Sequence, residues 1–475
     1  MPDLHFYTWT FLAVEWAIRL VMLVYVPQRR SPAAARGWLM LIFVEPVVGL
    51  MIYGVFGRPY LPKRRIEMQD RASRFIRTRG REWFNQNVAH PDVSNELKPA
   101  IALAKHLGDF GIVGGNDVEL LSDYGGSIGR LVDDIAAATR HVHLLYYIFA
   151  ADKSGRRVSD ALIAAAGRGV KCRLLVDGFA SRHAVRQIGP AMRAAGVEVV
   201  EMLPVSLLRP FRLRFDMRNH RKIAVVDGRI GYVGSQNIVD ADFKPGIIYK
   251  EMVARVTGPV VLQLQAAFLT DHFIETEDDE YDDGIFVAPP ATGATLAQAL
   301  PSGPGFPYAG NLKLVVALIH AAQHRIVITT PYFIPDASLL QAIQTAALRG
   351  VELHLVVSKK ADQVLVGLAQ RSFYEELLEA GVNIHQYRDG LLHAKHLSID
   401  DDVALVGSSN LDIRSFALNA EITLLIYDRE VVRRLQAEQA INIADSDPLT
   451  AEAWAARPTT QKIAQNTARL FDSLL

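Results

Sequence analysis

The 475-residue chain has a single cysteine, Cys172. A lone thiol can form no internal disulfide and no thiolate metal cluster, which suits a reducing compartment. Net charge is missing as well: 51 Lys and Arg balance 51 Asp and Glu. Proteins that wrap a polyanion carry a basic excess, so the balance argues against a nucleic-acid partner. Only 21% of residues are charged, whereas 50% are hydrophobic. A chain of this length exceeds one compact core and suits two or three domains.

The apolar residues are concentrated at the N-terminus. Residues 6–26 read FYTWTFLAVEWAIRLVMLVYV and residues 38–56 read WLMLIFVEPVVGLMIYGVF. Each run matches the roughly 20 residues a helix needs to cross a bilayer. Trp9, Trp16, Tyr25, Trp38 and Tyr53 lie mostly near the ends, as interfacial aromatics do. No small-residue cleavage pattern follows the first run, so it is not a removable signal peptide. The expectation is a two-helix membrane hairpin over residues 1–58, the alternative being an interfacial or buried hairpin. Glu15 and Arg19 fall inside the first run, where a lone charge costs roughly 2.5–3.5 kcal/mol, and their i, i+4 spacing lets them pair.

Two crossings would return both chain ends to one side. Arg58, Lys63, Arg64, Arg65, Arg71, Arg74, Arg77, Arg79 and Arg81 follow the second run, and this basic count places the C-terminal bulk in the cytoplasm. Arg29, Arg30 and Arg36, between the runs, pull the other way. The arginine-rich stretch 59–110 reads as a juxtamembrane linker, either attracted to anionic headgroups or forming a solvated helix face.

Beyond residue 110 strand and helix patterns alternate, which implies an α/β chain with a mostly parallel sheet. The passage also repeats. HLLYYIFA (143–150), a helical stretch and VKCRLLV (170–176) are answered by RIVITTPYF (325–333), a helical stretch and VELHLVV (351–357). Both helical stretches end in Arg-Gly-Val. The period of roughly 180 residues is too long for a solenoid, so two copies of one α/β unit are expected, over 111–290 and 291–475. The acidic and Pro/Gly-rich stretch 278–305 reads as their join.

Each copy carries one polar signature. The first is HRKIAVVDGRIGYVGSQN, with His220, Lys222, Asp227, Gly234, Ser235 and Asn237. The second is HAKHLSIDDDVALVGSSN, with His393, Lys395, Asp400, Gly407, Ser408 and Asn410. On a strand, His and Lys at i, i+2 share a face. Imidazole is a nucleophile and proton carrier near neutrality, and ammonium suits phosphate oxygens. Ser235, Asn237, Ser408 and Asn410 add donors for the same anion. Two such sets about an approximate twofold axis suit in-line displacement at phosphorus, one histidine attacking while the other protonates the leaving oxygen. His141 and His143 read as structural, His396 faces away from His393, and 400–402 reads as a turn.

This double motif resembles the phospholipase D superfamily over residues 110–430. The resemblance implies two duplicated α/β/α lobes sharing one active site, no metal, no cofactor and a covalent phosphohistidine. It assigns His220 as nucleophile and His393 as general acid, then base, with Lys222, Lys395, Asn237 and Asn410 on the phosphate. In that scheme Asp227 and Asp400, although part of the candidate catalytic sets, look structural. A carboxylate some 30 residues after each histidine orients its ring; Glu251 and Glu421 stand 31 and 28 residues on. The N-terminal runs, YYIFAAD (146–152), PYFIPD (331–336) and the long passage from His393 further resemble the bacterial cardiolipin synthases. That implies a phospholipid substrate, phosphatidylglycerol, and a bacterial inner-membrane location. Tyr249-Lys250-Glu251 departs from the Trp-Arg-Asp usual there, which bears on the orientation of His220. A phosphodiesterase of the same fold, lipid hydrolase or nuclease, is the alternative. Residues 206–220, SLLRPFRLRFDMRNH, read either as a membrane-dipping segment or as an edge strand.

Overall fold

The computed structural model describes residues 2–470 except 31, 58–60, 79, 85–86, 205–216, 279–282, 287–288 and 307–308. The segment at 206–216 and part of the acidic join therefore lie outside the described residues. The chain forms two compact units: 1–62 with 205–217, and 63–204 with 218–475.

The first unit contains α1 (Pro2–Tyr25), α2 (Pro32–Val44) and α3 (Pro46–Phe56). The stretch Thr8–Tyr25 of α1 is long and apolar enough to cross a membrane. The second expected span is not one helix. Pro46 has no N–H to continue α2 and is well placed to open α3. Glu45 leaves the helical region, with φ −133° and ψ 88°. The chain doubles back there, bringing the Trp38 and Tyr53 rings to 5.2 Å. Gly49 packs so closely on α2 that a methyl group in its place would come within 2.8 Å of the Ile42 Cα. Met22, Val26, Trp38, Ile42 and Tyr53 form a small core around the turn.

The second unit is built on a sheet of 15 strands. In chain order these are β1 (Val113–Leu121), β2 (His141–Tyr146), β3 (Lys171–Asp177), β4 (Glu198–Met202), β5 (Lys222–Val226), β6 (Ile230–Gly234) and β7 (Val253–Thr257). The second half adds β8 (Thr295–Ser302), β9 (Arg325–Thr329), β10 (Glu352–Ser358), β11 (Asn383–Tyr387), β12 (His396–Ile399), β13 (Val403–Gly407), β14 (Glu421–Tyr427) and β15 (Ser446–Leu449). The spatial order is β1-β7-β6-β5-β2-β3-β4 in one half and β8-β14-β13-β12-β9-β10-β11-β15 in the other. Position for position the orders match, apart from the added β15. The halves join where β1 pairs antiparallel with β8. The stretch read as a linker thus opens the second half with a buried strand.

The sheet is mixed rather than mostly parallel. β2-β3-β4 and β9-β10-β11 are parallel, joined through helices. β5, β6 and β7, like β12, β13 and β14, are antiparallel. The connections after β5 and β12 are too short for a crossover, which forces hairpins. At those turns Asp227 and Asp400 take the left-handed conformation, φ +54° and +48°, which aspartate tolerates better than most residues. The Asp400 carboxylate accepts from the backbone N–H groups of Gln323, His324 and Arg325 at 2.8–3.0 Å. Asp227 does the same for Thr139, Arg140 and His141. Each aspartate pins its turn to the start of the neighbouring strand.

Residues 260–273 of the helix Val260–Thr276 are all buried, as expected of a helix apolar on most of its faces. Its counterpart Arg429–Ala444 reaches the other half through Arg434, which donates to the Val118 carbonyl at 3.0 Å. Asp400→Ala strands three N–H groups and is expected to lower the unfolding free energy by about 2 kcal/mol, read by chemical denaturation. Backbone hydrogen bonds overcome burial to hold Asp227 below the usual carboxylate range. Its contribution is therefore full above about pH 4 and lost as pH falls below it, so wild type and Asp227→Asn should converge in acid.

Candidate active site between the two halves

Two short parallel ribbons cross from one half to the other. In the first, Asn219 pairs with Ala420; the His220 N–H donates to the Ala420 carbonyl at 2.8 Å, and the Ala420 N–H to the Arg218 carbonyl at 2.9 Å. In the second, Leu391 and Leu392 pair with Tyr249 and Lys250, and the His393 N–H donates to the Lys250 carbonyl at 2.8 Å. The residue after Ala420 is Glu421, and the residue after Lys250 is Glu251. Each histidine is thereby delivered to the carboxylate of the opposite half.

The sequence pattern paired Glu251 with His220 and Glu421 with His393; the structure exchanges them. His220 Nδ1 lies 3.0 and 3.1 Å from the two Glu421 oxygens. His393 Nδ1 lies 2.6 Å from Glu251 Oε1. Counting residues along one half cannot reveal a partner delivered from the other. The Tyr249-Lys250-Glu251 departure accordingly bears on His393.

A carboxylate only accepts hydrogen bonds, so Nδ1 carries the proton in both rings and Nε2 holds the lone pair of the neutral form. Burial pushes the His220 imidazole down to about 4 against the upward pull of Glu421. His393 is lowered for the same reason, with Glu251 opposing. Burial would raise both glutamates, but the facing histidine and the lysines outweigh it and hold them below the usual range. Lys222 and Lys395 donate to the carbonyls of their own histidines, each at 2.7 Å. Burial lowers Lys222 to about 7 and Lys395 to about 8. Two ammonium and two carboxylate groups thus nearly cancel. An added phosphodiester anion would raise the proton affinity of both rings.

His220 and His393 line one cavity of about 370 Å³ together with Asn237 and Asn410. Asn237 Oδ1 accepts from the Ile148 N–H, and Asn410 Nδ2 donates to Asp412, which fixes both amides. Ser235 and Ser408 do not line this cavity. Both are fully buried and bonded at or beside a glutamate: Ser235 bridges the N–H and carbonyl of Met252, the residue after Glu251, and Ser408 donates to Glu421 Oε2 at 2.5 Å. Rather than facing an anion, Ser408 holds its carboxylate and Ser235 fixes the residue that follows Glu251. Asp227 and Asp400 lie at the far ends of β5 and β12, about 16 Å along the strand from the lysines.

Several lining residues escaped the motif. Tyr147 packs 4.9 Å from His220, and Tyr332 and Tyr249 stand 6.2 and 5.5 Å from His393, measured between rings. Tyr249, Tyr332 and Lys244 all donate to Asp362, at 3.0, 2.7 and 2.5 Å. Arg218 and Arg414 line the same cavity. Tyr147 and Tyr332 had a signal, because both follow the first strand of their repeat. Asp362, within an irregular stretch, had none. Behind the site, Asp271 holds the Arg221 guanidinium at 2.5 and 2.6 Å and accepts from Asn219 at 2.9 Å, bracing both neighbours of His220.

The family described as cardiolipin synthase, PLD-like domain, matches residues 131–271 and 315–440. Cardiolipin synthase A of Pectobacterium carotovorum is 38% identical over 99% of both chains, and that of Proteus mirabilis 37% over 94% of both. Among solved structures, phosphatidylserine synthase of Haemophilus influenzae shares the fold, with a TM-score of 0.61 at 14% identity over 80% of this chain and all of that one. Similar along nearly its whole length to those synthases, and matched by the family in both halves, the chain belongs to the phospholipase D-like cardiolipin synthase family.

Proposed function

We propose that the protein is a cardiolipin synthase that moves the phosphatidyl group of one phosphatidylglycerol onto another and releases glycerol. The observation that carries this reading is the pair of histidines in one cavity, each backed by a buried carboxylate. His220 Nε2 attacks phosphorus as the bond to glycerol breaks, and His393 gives its proton to the departing oxygen. His393 then takes the proton of a hydroxyl on the second phosphatidylglycerol. That oxygen attacks the phosphohistidine, cardiolipin leaves, and His220 is restored.

The two carboxylates support this division of roles. Glu421 spreads its charge over His220, through both oxygens, and over Ser408. Glu251 meets His393 through one oxygen at 2.6 Å, a short charge-assisted contact that favours imidazolium. The ring better able to hold a proton is therefore His393. Lys222, Lys395, Asn237 and Asn410 supply donors for the phosphate oxygens. The cavity lies between the repeats, which supports reading 111–290 and 291–475 as two lobes after a membrane anchor (1–58) and a basic linker (59–110). The arginines beyond Phe56 support reading the lobes as lying on the cytoplasmic face.

Purified protein given labelled phosphatidylglycerol should yield cardiolipin and free glycerol. His220→Ala and His393→Ala should each lower kcat by roughly 10³-fold. Phosphatidic acid as the sole product would identify a hydrolase instead. In the free protein His220 is neutral down to about pH 4, so kcat/KM should hold on the acid side to near that value. His393 must carry a proton in the same step and burial lowers the pKa of its imidazolium, and Lys222 gives up its proton at about 7, so kcat/KM should fall from near neutrality upward, the Lys395 donor being lost above about pH 8. A profile flat to pH 10 would remove the lysines from the reaction.

A further inference from the structure

α2 has 13 residues and α3 has 11, giving about 20 and 16 Å of helix against a hydrocarbon core of roughly 30 Å. Neither crosses alone, and because the chain reverses at Glu45–Pro46 their lengths do not add. The end of α1, the middle of α2 and the last turn of α3 lie at one level. The Tyr25 and Trp38 rings stand 6.3 and 5.2 Å from Tyr53. Arg29 stacks 3.9 Å over Tyr25, and Arg30 donates to the Phe56 carbonyl at 3.2 Å. Aromatic rings and guanidinium groups in one band mark a membrane–water interface.

The tip of the hairpin lies deeper. Arg19 Nε donates to the Phe43 carbonyl at 3.2 Å while its Nη1 pairs with Glu15 at 3.3 Å. Arg19 precedes Tyr25 by six residues, about 9 Å of helix, so the tip sits roughly that far below the band. Arg19 therefore has a purpose inside an apolar helix: it satisfies a carbonyl that the Pro46 break removes from the helical ladder. Glu45, two residues on, shares its depth with this charged pair. Outward-facing Met40, Val44 and Met51 are 73, 68 and 59% exposed, an apolar coat suited to acyl chains.

Charge distribution points the same way. With two crossings, Arg29, Arg30 and Arg36 oppose Lys63, Arg64 and Arg65 across the membrane. With a hairpin that enters and leaves by one face, all six lie together, while residues 1–7 contain no Lys or Arg. The positive-inside rule then has a single solution.

We propose that α1 crosses the bilayer once and that α2–α3 is a re-entrant hairpin in the leaflet on the arginine-bearing face, so that the N-terminus and the chain following Phe56 lie on opposite sides. The proposal does not depend on the reaction catalysed. The test uses the full chain in a bacterial inner membrane. Cysteines replace Asp3, Gln28 and Lys63 one at a time; each variant is checked for lipid turnover and labelled with a membrane-impermeant maleimide before and after permeabilisation. Native Cys172 is buried and gives little background. Asp3→Cys should react from outside, and Gln28→Cys and Lys63→Cys only after permeabilisation. Labelling of Gln28→Cys and Lys63→Cys from opposite sides would establish two crossings, and labelling of all three from one side would establish none; either result overturns the proposal.

Discussion

The crossed histidine–glutamate contacts are the interaction on which the catalytic unit depends. His220 finds its carboxylate at residue 421 and His393 finds its own at residue 251, so neither half holds a complete histidine site. Glu421 is 0% and Glu251 4% exposed, and a buried carboxylate stripped of its partner costs several kcal/mol. The halves therefore have to stay in fixed register. The β1–β8 pairing supplies that register through the sheet, and the two parallel ribbons supply it at the site. Ser235, Ser408, Arg221 and Asp271 then hold the charged groups in place from behind.

Much of this was legible in the sequence because duplication writes a motif twice. A single His-x-Lys-x4-Asp says little, whereas two copies each followed by Gly-Ser-x-Asn pointed to His220, His393, Asn237 and Asn410, which line one cavity, and to Lys222 and Lys395, which are bonded to the histidine carbonyls and do not line it. The roles of the serines and aspartates were less legible, because a hydroxyl or carboxylate near a histidine in sequence can face the opposite way in space. Asp227 and Asp400 fold back onto strand starts, and Ser408 turns to Glu421. The exchange of glutamates was hidden entirely, since the pairing that delivers them is between segments far apart in the chain. Strand direction failed for a local reason, the tight turns after β5 and β12.

The same logic explains the N-terminal unit. Hydropathy reads residues 38–56 as one span because Glu45 and Pro46 are only two residues in nineteen. Proline acts through the hydrogen-bond ladder, however, and the ladder decides whether a helix continues. Arg19, which looked like a liability in the first apolar run, becomes intelligible once the break at Pro46 exposes the carbonyl it bonds.

Catalysis rests on which carboxylate serves which histidine, and a chromogenic substrate separates the two. A phosphatidyl p-nitrophenyl ester needs no acid to expel its leaving group, so the first step depends on the nucleophile alone. With Glu251→Gln, nitrophenolate should appear in a burst of about one per enzyme and then slow, because His393 fails only as the base of the second step. With Glu421→Gln the burst itself should be lost, because His220 is no longer oriented. A burst from Glu421→Gln and none from Glu251→Gln would contradict the combined assignment of crossed pairs and a His220 nucleophile.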